Sequence, residues 1–123
     1  MKNFKLYNNI TGWLVFIATS AVYLLTVEPT SSLWDCGEFI ASSYKLEVGH
    51  PPGAPLFMIL GKFFSLLAGK DKSQVAVMIN SISALASALT IMFLFWTITH
   101  LARKIFVKDD KYSTGIIIAI IGS

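Results

Sequence analysis

The chain has 123 residues, of which 54% are hydrophobic and only 14% charged, with a formal net charge of +3 at pH 7. Soluble domains carry about a quarter charged residues, so this composition belongs in a bilayer. The basic residues stand near the ends of apolar runs without forming a clustered face, which argues against nucleic-acid binding; one cysteine and two histidines supply neither a disulfide nor a zinc set.

Residues 1–9 are polar, with Lys2 and Lys5, and residues 10–27 are an apolar run interrupted by Gly12 and small hydroxyl residues. At about 1.5 Å per residue the run nearly spans a hydrocarbon core of roughly 30 Å, with Trp13 and Tyr23 placed as interfacial anchors. A first transmembrane helix is expected at about 10–27. A secretory signal is the competing reading, with Thr19-Ser20-Ala21 as its cleavage site. The run continues unbroken to Val27, which favours an uncleaved anchor.

Residues 28–72 are expected to form a loop with short helices. Glu28-Pro29-Thr30-Ser31-Ser32 ends the first helix, because a proline disfavours helical geometry in the residue before it. A short helix is expected from Ser32, with Asp35 three residues on in a capping-box spacing. Leu33, Cys36, Ile40 and Tyr44 would share one face of it, and Asp35 and Glu38 another. Three prolines and two glycines between Gly49 and Pro55 then impose irregular backbone, so His50 sits on a fixed non-helical segment.

Pro55 suits the first turn of a helix over residues 56–68, which is apolar except for Lys62 and Ser65 and too short to cross a bilayer comfortably. It is expected to lie along the interface or dip into the membrane. Residues 73–101 are nearly uncharged and long enough for a tilted second crossing, with Ala84 and Ala88, and Ser83 and Ser87, at the spacing of close helix approach. Arg103, Lys104, Lys108 and Lys111 mark a cytoplasmic loop at about 102–112. With two complete crossings, both basic groups and the N-terminus are cytoplasmic and the loop carrying Asp35 is external. Residues 113–123 begin a further span, so the chain is expected to be the N-terminal part of a longer all-α, polytopic membrane protein.

Between apolar segments, Asp35, Glu38 and His50 are costly unless they serve a purpose. Taken alone, Asp35 reads as a helix cap meeting the helix dipole, and His50 as a local turn residue. Lys45 and Lys62 read as snorkelling lysines, and Cys36 as small packing.

The run Trp34-Asp35-Cys36-Gly37-Glu38-Phe39-Ile40, with Tyr44, Gly49 and His50-Pro51-Pro52-Gly53-Ala54-Pro55-Leu56-Phe57, resembles the N-terminal region of a bacterial membrane-protein family related to a eukaryotic transmembrane protein O-mannosyltransferase. A more distant likeness is to other protein O-mannosyltransferases, whose first external loop has an adjacent acidic pair followed by a His-Pro-Pro element. The likeness covers nearly the whole chain and is dense over residues 34–57. Here Cys36 and Gly37 separate the two acids, so the motif alone does not decide which is catalytic.

The resemblance implies the C-type glycosyltransferase (GT-C) fold in a bacterial plasma membrane. It also implies inverting transfer of a sugar, mannose by the family's name, from a polyprenyl-phosphate donor to a hydroxyl of a protein, a glycan or another acceptor. Such transfer needs a carboxylate base and groups that hold the leaving phosphate. Asp35 is expected as the base, Glu38 as the orienting or alternate acid, and His50 with Lys45 on the phosphate side. No cofactor is expected, and a divalent metal is left open. The alternative is a transporter or assembly subunit whose acidic loop binds ligand without reacting. A transporter would place its acids near the bilayer midplane, whereas these follow shortly after the first span.

Overall fold

The computed structural model describes residues 3–32, 34–51 and 53–106. Leu33 and Pro52, Lys108 and Lys111, most of the loop expected at 102–112 and the span expected to begin at 113 lie outside the described residues. Those described are all-helical: α1 is Phe4–Leu25, α2 Cys36–Lys45, α3 Pro55–Ser65 and α4 Val75–Phe106. A 3-10 turn at Leu66–Ala68 prolongs α3, and another at Lys72–Gln74 leads into α4.

Two stretches, Phe4–Leu25 and Lys72–Lys104, are long and apolar enough to cross a membrane, and only 6% and 22% of their apolar windows are buried. The core helix of a soluble domain would hide most of such a surface. Several hydroxyl side chains within these helices are satisfied locally, whereas the buried Ser20 Oγ of α1 has no hydrogen-bond partner among the described residues. Thr19 donates to the Val15 carbonyl at 2.8 Å, Ser81 to Val77 at 2.7 Å and Thr97 to Phe93 at 2.8 Å, which removes the cost of an unpaired donor in an apolar setting.

The chain divides into two compact units, and α1 and α4 each contribute to both. In the first, Met1–Val22 with Ala86–Ser123, Trp96 of α4 fills the space left by Gly12 of α1, where any Cβ would collide with the indole. Its Nε1 donates to the Asn8 carbonyl at 3.3 Å, and Trp13 meets it edge-on at 6.3 Å. Ala88, Met92, Phe95 and Thr99 form the buried stripe of α4 in this unit, at spacings of three and four residues. Ser83 and Ser87, expected at a close helix approach, are instead exposed.

In the second unit, Tyr23–Leu85, α2 and α3 cross where Gly61 faces the fully buried Ser43. Ser43 Oγ lies 3.3 Å from Met58 Sδ, and Ile79 of α4 packs against the same crossing. Lys62 donates to the Tyr44 carbonyl and stands 5.0 Å over the Tyr44 ring, so it ties α3 to α2 instead of simply snorkelling. Asn80 Nδ2 donates to the carbonyls of Glu28 and Thr30 at 2.9 and 3.0 Å, fixing the chain after α1 onto α4.

Pro55 stands in the first turn of α3, where its missing N–H is harmless. At 11 residues α3 is roughly 16 Å long, about half a hydrocarbon core. The helix expected from Ser32 begins only at Cys36, because Trp34 adopts a left-handed backbone (φ 68°) that no right-handed helix passes through.

Candidate active site

The local structure of α2 decides where the acids point. Asp35 is the residue before the first helical turn, but its side chain makes no capping hydrogen bond. The capping box expected with Ser32 is not formed; Ser32 Oγ donates to Cys36 Sγ at 3.1 Å instead. A carboxylate at this position that does not cap is left available for another partner. Glu38, in the first turn of α2, reaches the loop beyond the helix.

That loop is set by how α2 ends. Leu46 takes a left-handed conformation (φ 57°), with its N–H donating to the Ser43 carbonyl and the Glu47 N–H to the Ser42 carbonyl at 2.9 Å. This Schellman arrangement reverses the chain so that Gly49 and His50 return alongside Glu38. A Cβ on Gly49 would lie 3.3 Å from Glu38 Oε1, so the small residue lets the carboxylate come close.

Glu38 Oε1 accepts the His50 backbone N–H at 2.8 Å, and its Oε2 lies 2.8 Å from His50 Nδ1. The other ring nitrogen, Nε2, is 4.0 Å from Asp35 Oδ2. The imidazole thus stands between two carboxylates separated by three positions of sequence, one hydrogen-bonded and one in looser electrostatic reach. Phe39 packs edge-on to His50 at 6.3 Å and to Phe57 at 5.7 Å, which supports the ring from α2 and α3 together.

Hydrogen bonding from the His50 backbone, then from its ring, holds Glu38 below its ordinary carboxylate value. The same side-chain bond, followed by the Glu38 charge and, more weakly, the Asp35 charge, raises His50 above its ordinary value. All three side chains are about half exposed, so reactants have access. Among the described residues no set of three His, Cys, Asp or Glu side chains is arranged to hold a metal.

Asp35, Glu38 and His50 are therefore brought together. Lys45 is not: it pairs with Glu47 at 3.6 Å on the exposed end of α2. Beside the His50 turn an apolar pocket of about 390 Å3 is lined by residues of both flanks, including Val48, Gly53, Pro55 and Met58. Sequence reasoning missed Gly49 and Trp34 as positioning residues. The glycine had a signal, since it directly precedes the histidine; a left-handed tryptophan has none.

The sequence model of the family described as "Protein O-mannosyl-transferase TMEM260 N-terminal domain" matches residues 35–123, beginning at Asp35. The protein named Protein O-mannosyl-transferase tmem260 of Dictyostelium discoideum is 34% identical over 85 residues, covering 69% of this chain and 10% of that protein. Protein O-mannosyl-transferase TMEM260 of Mus musculus is 34% identical over 88 residues, covering 72% of this chain and 12% of its own length. The chain thus spans about a tenth of the length of these curated relatives. No solved structure matches it significantly.

Proposed function

The chain belongs to the family of protein O-mannosyl-transferase TMEM260 N-terminal domains, and from that premise we propose that it supplies the catalytic loop of a membrane glycosyltransferase. The reaction is inverting transfer of a sugar, mannose by the family's name, from a polyprenyl-phosphate donor to a hydroxyl of a protein. The acceptor oxygen attacks the anomeric carbon as the bond from that carbon to the phosphate oxygen breaks. The acceptor's proton passes to a carboxylate, and the polyprenyl phosphate leaves with the bond electrons.

The observation that carries the assignment of roles is the unequal engagement of the two acids. Glu38 is held by two hydrogen bonds from His50, while the Asp35 side chain makes none with any described residue and faces the other edge of the same ring at 4.0 Å. Asp35 is accordingly the base and Glu38 the residue that orients His50. The His50 imidazolium faces the departing phosphate, where a positioned cation lowers the barrier. Lys45 shares that role only by exchanging Glu47 for the phosphate. The apolar pocket beside the His50 turn supports a donor with a hydrocarbon carrier.

The full-length protein is then a multi-pass GT-C enzyme with its N-terminus in the cytoplasm of a bacterium and this loop outside. The test is full-length protein incubated with radiolabelled polyprenyl-phosphate mannose and a serine- and threonine-bearing peptide. Label appearing in the peptide as released polyprenyl phosphate accumulates supports the reading. Intact donor, with a labelled solute carried into proteoliposomes instead, would replace it with the transporter reading.

A further inference from the structure

The unit formed by Met1–Val22 and Ala86–Ser123 contains a polar recess, which has no part in the site above. The start of α1 and the last turns of α4 form a half-open recess of about 280 Å3 lined by Phe4, Lys5, Asn8, Asn9, His100 and Arg103. Among the described residues its lining holds a lysine, an arginine, a histidine and two amide side chains, and no carboxylate. The Arg103 guanidinium lies 5.1 Å over the Phe4 ring, which holds it at the recess without neutralising it. Neither Lys5, His100 nor Arg103 takes part in an ion pair with any described residue. The first turn of α1 brings the positive end of a 22-residue helix to the recess.

A recess of this chemistry recognises an anion with several acceptor oxygens, and phosphate matches it. Its flanks choose between a free ion and a lipid. Leu6, Tyr7 and Ile10 of α1 and Leu101 of α4 are 59%, 61%, 48% and 52% exposed, on two helices long enough to cross a membrane. A free ion would make no use of that apolar surface, whereas acyl chains would cover it. We propose that the recess binds the headgroup of an anionic phospholipid, with Lys5 and Arg103 on its phosphate, His100 and the two asparagines completing the hydrogen bonds, and the acyl chains along Leu6, Ile10 and Leu101. Charge that merely orients the chain in the membrane would need neither the recess nor the two asparagine side chains.

The test is titration of purified full-length protein with phosphatidylglycerol and with phosphatidylcholine in neutral detergent, bound lipid being counted by native mass spectrometry. Each basic residue beside an anionic lipid contributes about fivefold in binding, so Lys5→Gln with Arg103→Gln should weaken phosphatidylglycerol binding by tenfold or more and leave phosphatidylcholine unchanged. Asn9→Asp, nearly isosteric and on an exposed position, should repeat the loss by adding negative charge and keeps the test open if the double variant fails to fold. Lys70→Gln with Lys72→Gln, outside the recess, should bind as wild type does. Equal binding by wild type and the recess variants, an equal loss in the Lys70 and Lys72 control, or displacement of the lipid by excess inorganic phosphate would each overturn the proposal.

Discussion

Glu38 and His50 depend on each other, and that dependence has a sign in pH. Hydrogen bonding lowers Glu38, so its contribution is present above the unfolded carboxylate pKa of about 4.3 and is lost as pH falls through the lower folded value. His50 is raised, so its contribution is complete below the unfolded value of about 6.5 and is lost as pH rises through the higher folded value. Between the two the pair is a carboxylate and an imidazolium. Glu38→Gln should therefore bring the His50 titration, followed by NMR of labelled histidine in the full-length protein, back down toward the ordinary imidazole value. The alkaline limb of the transfer rate should move to lower pH with it. A histidine titration unmoved by Glu38→Gln would contradict the pairing. Asp35, Glu38 and His50 were legible in the sequence because charge beside apolar runs is costly. Their unequal engagement was not, since it depends on the chain reversal at Leu46 and the room left at Gly49, neither of which is a composition signal.

The apolar runs at 10–27 and 73–101 marked the existence of α1 and α4 but not their ends. Helix α1 already begins at Phe4 and α4 runs on to Phe106, into polar flanks and the loop expected at 102–112, because hydropathy does not record where helical hydrogen bonding stops. The start of α3 is announced by Pro55. The start of α2 was misplaced because a spacing of polar residues says nothing about the left-handed backbone of Trp34. The α2 and α3 crossing likewise needed coordinates: a glycine in an apolar helix is an ambiguous mark until its neighbour is known. At Gly61 a Cβ would sit 2.6 Å from both Cβ and Oγ of Ser43, and Ser43 has no exposed surface into which to retreat. Gly61→Ala should destabilise this unit by about 1–3 kcal/mol, as overpacking does, visible as a lowered Tm. Adding Ser43→Gly removes the opposing atoms and should recover part of the loss. A Tm unchanged by Gly61→Ala alone would show that the crossing is looser than described.

For the whole molecule, the basic groups at the two ends of the apolar helices and the half-core length of α3 lead to one arrangement in the membrane. The proposed arrangement has the N-terminus and residues 103–111 in the cytoplasm, residues 35–55 outside, and α3 lying along or dipping into the membrane without crossing it. In a Cys36→Ala background, Glu47→Cys should react with an impermeant thiol reagent in intact cells and Lys108→Cys should not. The reverse pattern would overturn the arrangement.

The most direct measurement of the central claim is the transfer rate of full-length Asp35→Asn. The substitution keeps the size of the side chain and most of its hydrogen bonding but cannot take a proton, and a base of this kind contributes about 10²- to 10⁴-fold. Normal protein levels with the rate reduced by that factor are expected, while Ser32→Ala, which removes the contact to Cys36 and leaves the carboxylate in place, should transfer at near wild-type rate. Transfer by Asp35→Asn at the wild-type rate would contradict the claim; loss in Glu38→Gln alone would move the base to Glu38, and activity in both variants would remove the chemistry from this loop.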